Sequence, residues 1–96
     1  MAIVVLSATA VANLNELIET RRLPATTRDR VRAPLEALSA FPQIGPMLAG
    51  RWSGFRFILG PWQWMLIVYD YQEAADRVLI ATIQDSRSAR SATTDR

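Results

Sequence analysis

Six consecutive apolar residues, Trp64 to Tyr69 (WMLIVY), are closed on one side by Gln63 and on the other by Asp70. This run constrains the fold more than any other feature of the chain. A membrane-spanning helix needs ~20 apolar residues, so the run is too short to cross a bilayer. Short apolar runs rich in β-branched and aromatic residues, flanked by Gly and Pro, read as buried strands. The stretch GPWQWMLIVYDY therefore predicts a turn at Gly60-Pro61 and a central strand from Trp62 to Tyr71. A central strand needs partners for its backbone N–H and C=O groups.

The rest of the chain supplies those partners. RWSGFRFIL (51–59) and RVLIATIQ (77–84) read as strands, and their short links to 62–71 predict an antiparallel meander. Ala2 to Leu6 (AIVVL) reads as a strand buried on both faces. Ser7 is a candidate N-cap for a helix over 8–22, in which Val11, Leu14, Leu17 and Ile18 share one face. Arg21 and Arg22 suit the negative end of that helix, and Pro24 stops it. Thr26 or Thr27 caps a second helix with a stripe of Val31, Leu35, Leu38 and Phe41, closed by Pro42. Pro34 removes one of its hydrogen bonds and predicts a kink. PQIGPMLAG (42–50) is a loop. The sum is an α+β, two-layer domain in the order β-α-α-β-β-β, with a helical hairpin on one face of a small, mainly antiparallel sheet. The domain spans 1–84, and the polar segment 85–96 reads as a frayed tail.

Composition narrows the chemistry. Histidine and cysteine are both absent, so the commonest general base, thiolate chemistry and most zinc sites are excluded, and neither a metal nor a cofactor is expected. All eleven basic residues are arginine, and the net charge is +2. Arginine forks suit phosphates and carboxylates, but a genome rich in arginine codons gives the same composition. AIVVLSATAVA lacks the basic start of a signal peptide, so a cytoplasmic chain with no membrane partner is expected.

Pairing Leu59 with Trp62 across a two-residue turn sorts the hairpin into two faces. Phe55, Phe57, Leu59, Trp62, Trp64, Leu66 and Val68 fall on one, which is almost wholly apolar and is expected to receive the helices. Trp52, Arg56, Ile58, Gln63, Met65, Ile67, Tyr69 and Tyr71 fall on the other. Arg56 there is either an ordinary charge on a half-exposed sheet or a guanidinium placed to grip a phosphate or acidic group. Trp52, Met65, Ile67 and Tyr69 are expected to form an exposed apolar surface that takes a partner.

Several fragments in this order resemble the RelE/ParE superfamily of toxins from bacterial type II toxin–antitoxin systems. They are AVANLNELIE in the first helix, LSAFPQIG at the end of the second, LAGRWSGFRFIL, and the closing strands WMLIVYDY and RVLIATIQDSR. The resemblance spans Ile3 to Arg87. It implies a growth-inhibiting, plasmid-stabilising toxin neutralised by a cognate antitoxin that covers exposed apolar surface. RelE-like members cut mRNA on the ribosome, whereas ParE-like members poison DNA gyrase. Arg56 matches the family's basic position on the second strand, and Arg87 the one after the last strand. They are the candidate catalytic residues, and Arg51, Arg56, Arg87 and Arg90 the candidate target-binding set. Leu66 occupies a position where nuclease relatives carry a basic group, and Gln84 or Asp85 replaces the final-strand histidine.

RNA cleavage needs a base, an acid and cations for the phosphorane. Arginine does not shuttle protons, which leaves Tyr69 and Asp85 as acid–base candidates. The expected function is therefore a toxin that binds an essential target, with DNA gyrase favoured. The alternatives are a ribosome-dependent mRNA endoribonuclease and an inactive toxin-like binding module.

Overall fold

The computed structural model describes residues 1–88 and 91–93. The elements are β1 (Ile3–Leu6), α1 (Ala8–Thr20), α2 (Thr27–Ala40), β2 (Arg56–Leu59), β3 (Met65–Gln72) and β4 (Arg77–Asp85). Single 3₁₀ turns cover Gly50–Trp52 and Glu73–Ala75. The strand order in the sheet is β1-β4-β3-β2. β2–β3 and β3–β4 are antiparallel, while β1 joins β4 in parallel. The helical hairpin carries the chain from β1 across to the far side of the sheet, and this crossover makes a parallel partner possible. The α+β, two-layer order expected from the sequence is the one observed.

Ser7 caps α1 as its position suggests. Its Oγ accepts from Ala10 N–H at 3.0 Å and donates to Ala81 C=O at 2.9 Å. The second bond ties the helix start to β4 at the irregularity between Val68 and Tyr69, where the β3–β4 register shifts. The far end of α1 differs from expectation. The helix stops at Thr20, Arg22 takes a left-handed conformation (φ 51°), and Leu23 N–H returns to Ile18 C=O. A backbone reversal, two residues before Pro24, ends the helix. α2 runs from Thr27 to Ala40 with Pro34 inside it.

The core face also differs from expectation. β2 and β3 pair as Leu59↔Leu66 and Arg56↔Tyr69, because the turn after Leu59 takes up Gly60 to Trp64 instead of two residues. Proline disfavours the tight two-residue turn. The register slides by an even number, so the two groups of side chains stay separate, but the helices cover the other group. Met65, Ile67 and Tyr69 are fully buried with Ala10, Leu14, Leu17, Val31, Leu38, Val78, Ile80 and Ile83. They therefore form no exposed surface for a partner. Their ladder neighbours on β4 supply the reason: Val78, Ile80 and Ile83 extend the same apolar face across the sheet, which makes it the wider of the two.

Leu66 and Val68 on the opposite face are also buried. The chain after β4 accounts for part of this. Ala92 N–H donates to Gln84 Oε1 at 2.8 Å, and Gln84 lies directly across from Leu66. Ser91 and Ala92 are buried as well. The described part of 85–96 is thus folded back on the sheet rather than frayed, and Asp85 belongs to β4. β1 is an edge strand rather than one buried on both faces. Val4 and Leu6 pack toward the helices, while Ile3 and Val5 are 67% and 40% exposed.

Candidate functional site

Arg87 sits just past β4, where Asp85 organises the end of the sheet. The Asp85 carboxylate accepts from Arg87 N–H, Nε and Nη2 at 2.9, 3.0 and 2.9 Å. It also accepts from Arg21 Nε and Nη2 at 3.2 and 3.1 Å. The guanidinium of Arg87 lies 4.9 Å from the centre of the Trp64 ring. Trp64 stacks on Trp62 with centroids 6.3 Å apart, and Arg30 of α2 covers the outer face of that pair at 5.6 Å. One carboxylate therefore joins the end of α1, the end of β4 and the segment that follows it. The Arg87 side chain stays 62% exposed while Asp85 is 7% exposed. A cleft of about 440 Å³ opens beside them, between Asn13, Glu16, Arg21, Gln84 and Ser88.

Arg56 is in a different setting. Its partner across the ladder is Tyr69, on the helix-facing side of the sheet. Arg56 Nη1 donates to the carbonyls of Gln43 and Gly45 at 3.2 and 2.8 Å. Gly45 N–H in turn donates to Tyr69 Oη at 3.0 Å. Arg56 and Tyr69 together fasten the 42–47 loop to the sheet. The two candidate catalytic arginines are not brought together. Asp85 pairs with Met65 and Arg56 with Tyr69, so their rows lie about 13 Å apart along β3 at about 3.3 Å per residue, and β2 and β4 flank β3 on opposite sides.

The other candidates divide. Arg51 is exposed on the 3₁₀ turn before β2, and Trp52 beside it is half-buried with its ring edge on Phe55. Arg90 lies outside the described residues. Exposed apolar surface is present, but on different residues from those expected: Phe41, Ile44 and Met47 are 64%, 59% and 60% exposed. Phe41 and Ile44, with Pro42, Tyr71 and Glu73, line a cleft of about 560 Å³. Helical periodicity placed Phe41 in the stripe of α2, but the helix ends one residue earlier and the ring turns outward.

Both acid–base candidates are engaged by other groups of the fold. The Asp85 carboxyl is held far below the usual carboxylate range, first by its hydrogen bond to Arg87 and further by Arg21, against the cost of burial. A carboxylate so stabilised is a poor base. Burial pushes the Tyr69 phenol up, only partly offset by the Gly45 N–H and by Arg56. Its oxygen is already used as an acceptor inside the core. Tyr71 is also raised, first by donating to Asp76 Oδ1 at 2.8 Å. Among the described residues no three His, Cys, Asp or Glu side chains gather as metal ligands, and no helix is long and apolar enough to cross a membrane.

The Asp85–Arg21 pair and the Gly45–Tyr69 bond were invisible to sequence reasoning. Their partners lie 64 and 24 positions apart, and no local pattern links them.

No family model matches the chain, and no curated protein matches it. Solved structures do. A chain of the RelBE2 toxin–antitoxin complex from Mycobacterium tuberculosis is similar with a TM-score of 0.68 at 19% identity, covering 88% of this chain and 96% of that one. The isolated RelE toxin of E. coli is similar with a TM-score of 0.65 at 14% identity, covering 94% of this chain and 89% of that one. At such identities the likeness establishes the fold: the chain has the architecture of RelE toxins, as the sequence fragments suggested.

Proposed function

We propose that the chain is the toxin of a type II toxin–antitoxin system, and that it arrests growth by occupying an essential target rather than by cutting RNA. DNA gyrase is the favoured target. The shared fold supports the toxin role. The choice between binding and cutting rests on one observation: Asp85 is locked between two arginines, and Tyr69 is buried against Gly45. Leu66, where nuclease relatives carry a basic group, is buried in the face on which Ala92 meets Gln84. Target contact is assigned to the exposed Arg87 and Arg51, with Arg90 joining them by sequence position. Arg56 contributes by shaping the 42–47 loop. A cognate antitoxin neutralises the toxin by covering Trp52 and the exposed Phe41, Ile44 and Met47. Both ends of the interaction lie in the cytoplasm.

The test is expression of the chain alone, followed by plasmid topology and transcript integrity. Growth arrest with altered supercoiling and intact transcripts is expected. Transcripts cut within codons while supercoiling stays normal would overturn the proposal. That outcome would favour the second reading, a ribosome-dependent endoribonuclease, which draws on the similarity of both matched structures to RelE-type systems. In that case Arg56→Ala and Arg87→Ala each abolish cleavage. Absence of any growth defect would indicate an inactive binding module.

A further inference from the structure

β1 leaves one side of the sheet open. It is the last strand in the order, with β4 on its only paired side. Ile3 N–H reaches Asp76 C=O and Ser7 N–H reaches Ile80 C=O. In a parallel ladder a strand turns every second residue to a given neighbour. The backbone groups of Val4 and Leu6 therefore point away from β4, along the open edge. Ala2, on that same side, is satisfied by α2: its N–H donates to Ser39 C=O at 2.9 Å, and its C=O accepts from Ser39 Oγ at 2.7 Å. Beyond this point β1 and α2 diverge. A cleft of about 200 Å³ opens between Val4, Leu6, Arg32, Leu35, Glu36 and Ser39. It continues into a second of about 280 Å³ that shares Leu6, Arg32 and Leu35. The edge has none of the usual protections, since it carries no charge, proline or bulge.

We infer that a second copy of this chain closes this edge, with β1 paired antiparallel to its symmetry mate and α2 packed against the mate's α2. The chemistry of the groove selects that occupant. An interface across a two-fold axis must be self-complementary. If the axis passes by Val5, Val4 and Leu6 of one copy lie opposite Leu6 and Val4 of the other, and their outward N–H and C=O groups form a closed ladder. The two Val5 side chains then face each other on the outer surface, where Val5 is 40% exposed in the single chain. On the helix layer, Arg32 and Glu36 are exposed, and neither side chain makes a hydrogen bond or ion pair among the described residues. They stand one helical turn apart, and Leu35 lines the same cleft beside them. Antiparallel helices bring Arg32 of each copy to Glu36 of the other, with the two Leu35 side chains between them. An acidic peptide would satisfy only Arg32, and a basic one only Glu36. A copy of the same surface satisfies both. The result is a continuous eight-stranded sheet, twice the four strands of one chain, with four helices on one face.

The experiment is analytical ultracentrifugation of the purified chain over a wide concentration range, with circular dichroism to confirm folding. A species near 21 kDa, twice the 10.7 kDa of one chain, is expected. Arg32→Glu and Glu36→Arg each place like charges together, and each should raise the dimer dissociation constant by about tenfold or more. The double variant Arg32→Glu/Glu36→Arg restores the pairing and should return the constant to within about threefold of the original. Both side chains are exposed, so the monomer should fold in all three. Val5→Lys, also at an exposed position, should dissociate the dimer independently. A monomer at every concentration overturns the inference. So does a dimer indifferent to the single charge reversals and to Val5→Lys.

Discussion

Arg56 and Arg87 have the same charge and were equally plausible on sequence as active-site cations, yet they occupy opposite kinds of site. Arg56 turns inward and gives its hydrogen bonds to the carbonyls of Gln43 and Gly45. Arg87 turns outward, anchored through Asp85 and Trp64 but largely in solvent. A guanidinium that satisfies backbone carbonyls fixes the shape of a loop. A guanidinium held by a carboxylate and an aromatic face keeps a defined position while part of its charge stays available. The contrast shows that residue type and strand position alone do not distinguish a structural cation from a functional one. What its donors point at does.

The contrast is most sharply broken at the Arg56 end by a change that touches no charge. A Cβ added at Gly45 would overlap the Phe57 carbonyl oxygen and come within 2.9 Å of Tyr69 Oη. The obstruction is backbone and a fixed phenol, so no side chain can swing aside. Gly45→Ala should destabilise the fold by about 3 kcal/mol or more, measured by urea denaturation. A variant as stable as the parent would mean that the loop is not fastened to the sheet here, and Arg56 would lose its structural role with it. Tyr69→Phe tests the same fastening more gently. It leaves the Gly45 N–H without its acceptor in the core and should cost about 1–3 kcal/mol. A free phenol titrates at about 10 and burial pushes Tyr69 further up, so this loss should not change between pH 6 and pH 9.

The organisation around these residues was only partly legible in the sequence. Ser7, the apolar stripe of α1 and the run Met65–Tyr69 each state their structure locally, and each behaved accordingly in element type; Trp64 fell into the turn instead of the strand. The core face did not, because it depended on the width of a turn. With Gly60 to Trp64 in the connection, Leu59 meets Leu66, and the helices cover Met65, Ile67 and Tyr69. Which of two apolar faces is covered is decided by Val78, Ile80 and Ile83 on the next strand, and a hairpin considered alone cannot supply that information. The same holds for Asp85. As a residue in a polar tail it signalled fraying, but its partner Arg21 is positioned by the left-handed turn that ends α1.

At the Arg87 end, pH is the lever. The folded Asp85 carboxyl titrates far below the unfolded value of about 3.9. Its contribution is therefore complete above that unfolded value and is lost as pH falls toward the folded one. Melting temperatures taken from pH 7 to pH 2 should fall below about pH 4, and part of this fall should be missing in Asp85→Asn. The difference between the two proteins should narrow below about pH 4, because the unfolded chain takes up a proton there that the folded Asp85 does not. A constant gap down to pH 2 would show that Asp85 acts through packing rather than charge, and Arg87 would then not be positioned by an ion pair.

The smallest expected effect on stability should accompany a large effect on function. Arg87→Ala removes an exposed side chain and leaves Asp85 with Arg21 and the backbone N–H at 87. Because Asp85 keeps those partners and Arg87 is largely in solvent, the loss should stay modest, a fall of about 4–8 °C in melting temperature for a domain this small. If Arg87 makes the target contact, growth arrest should nevertheless disappear when the variant is expressed at parental levels. Arg56→Ala should show the reverse order: a larger drop in melting temperature, with toxicity falling only as far as the folded fraction falls. Arg87→Lys refines the test. It keeps the positive charge but loses the fork that grips Asp85, so an intermediate phenotype indicates that placement as well as charge is required. Full toxicity in Arg87→Ala would instead move the target contact to Arg51 and the other exposed arginines, and the contrast between the two ends would be one of stability alone.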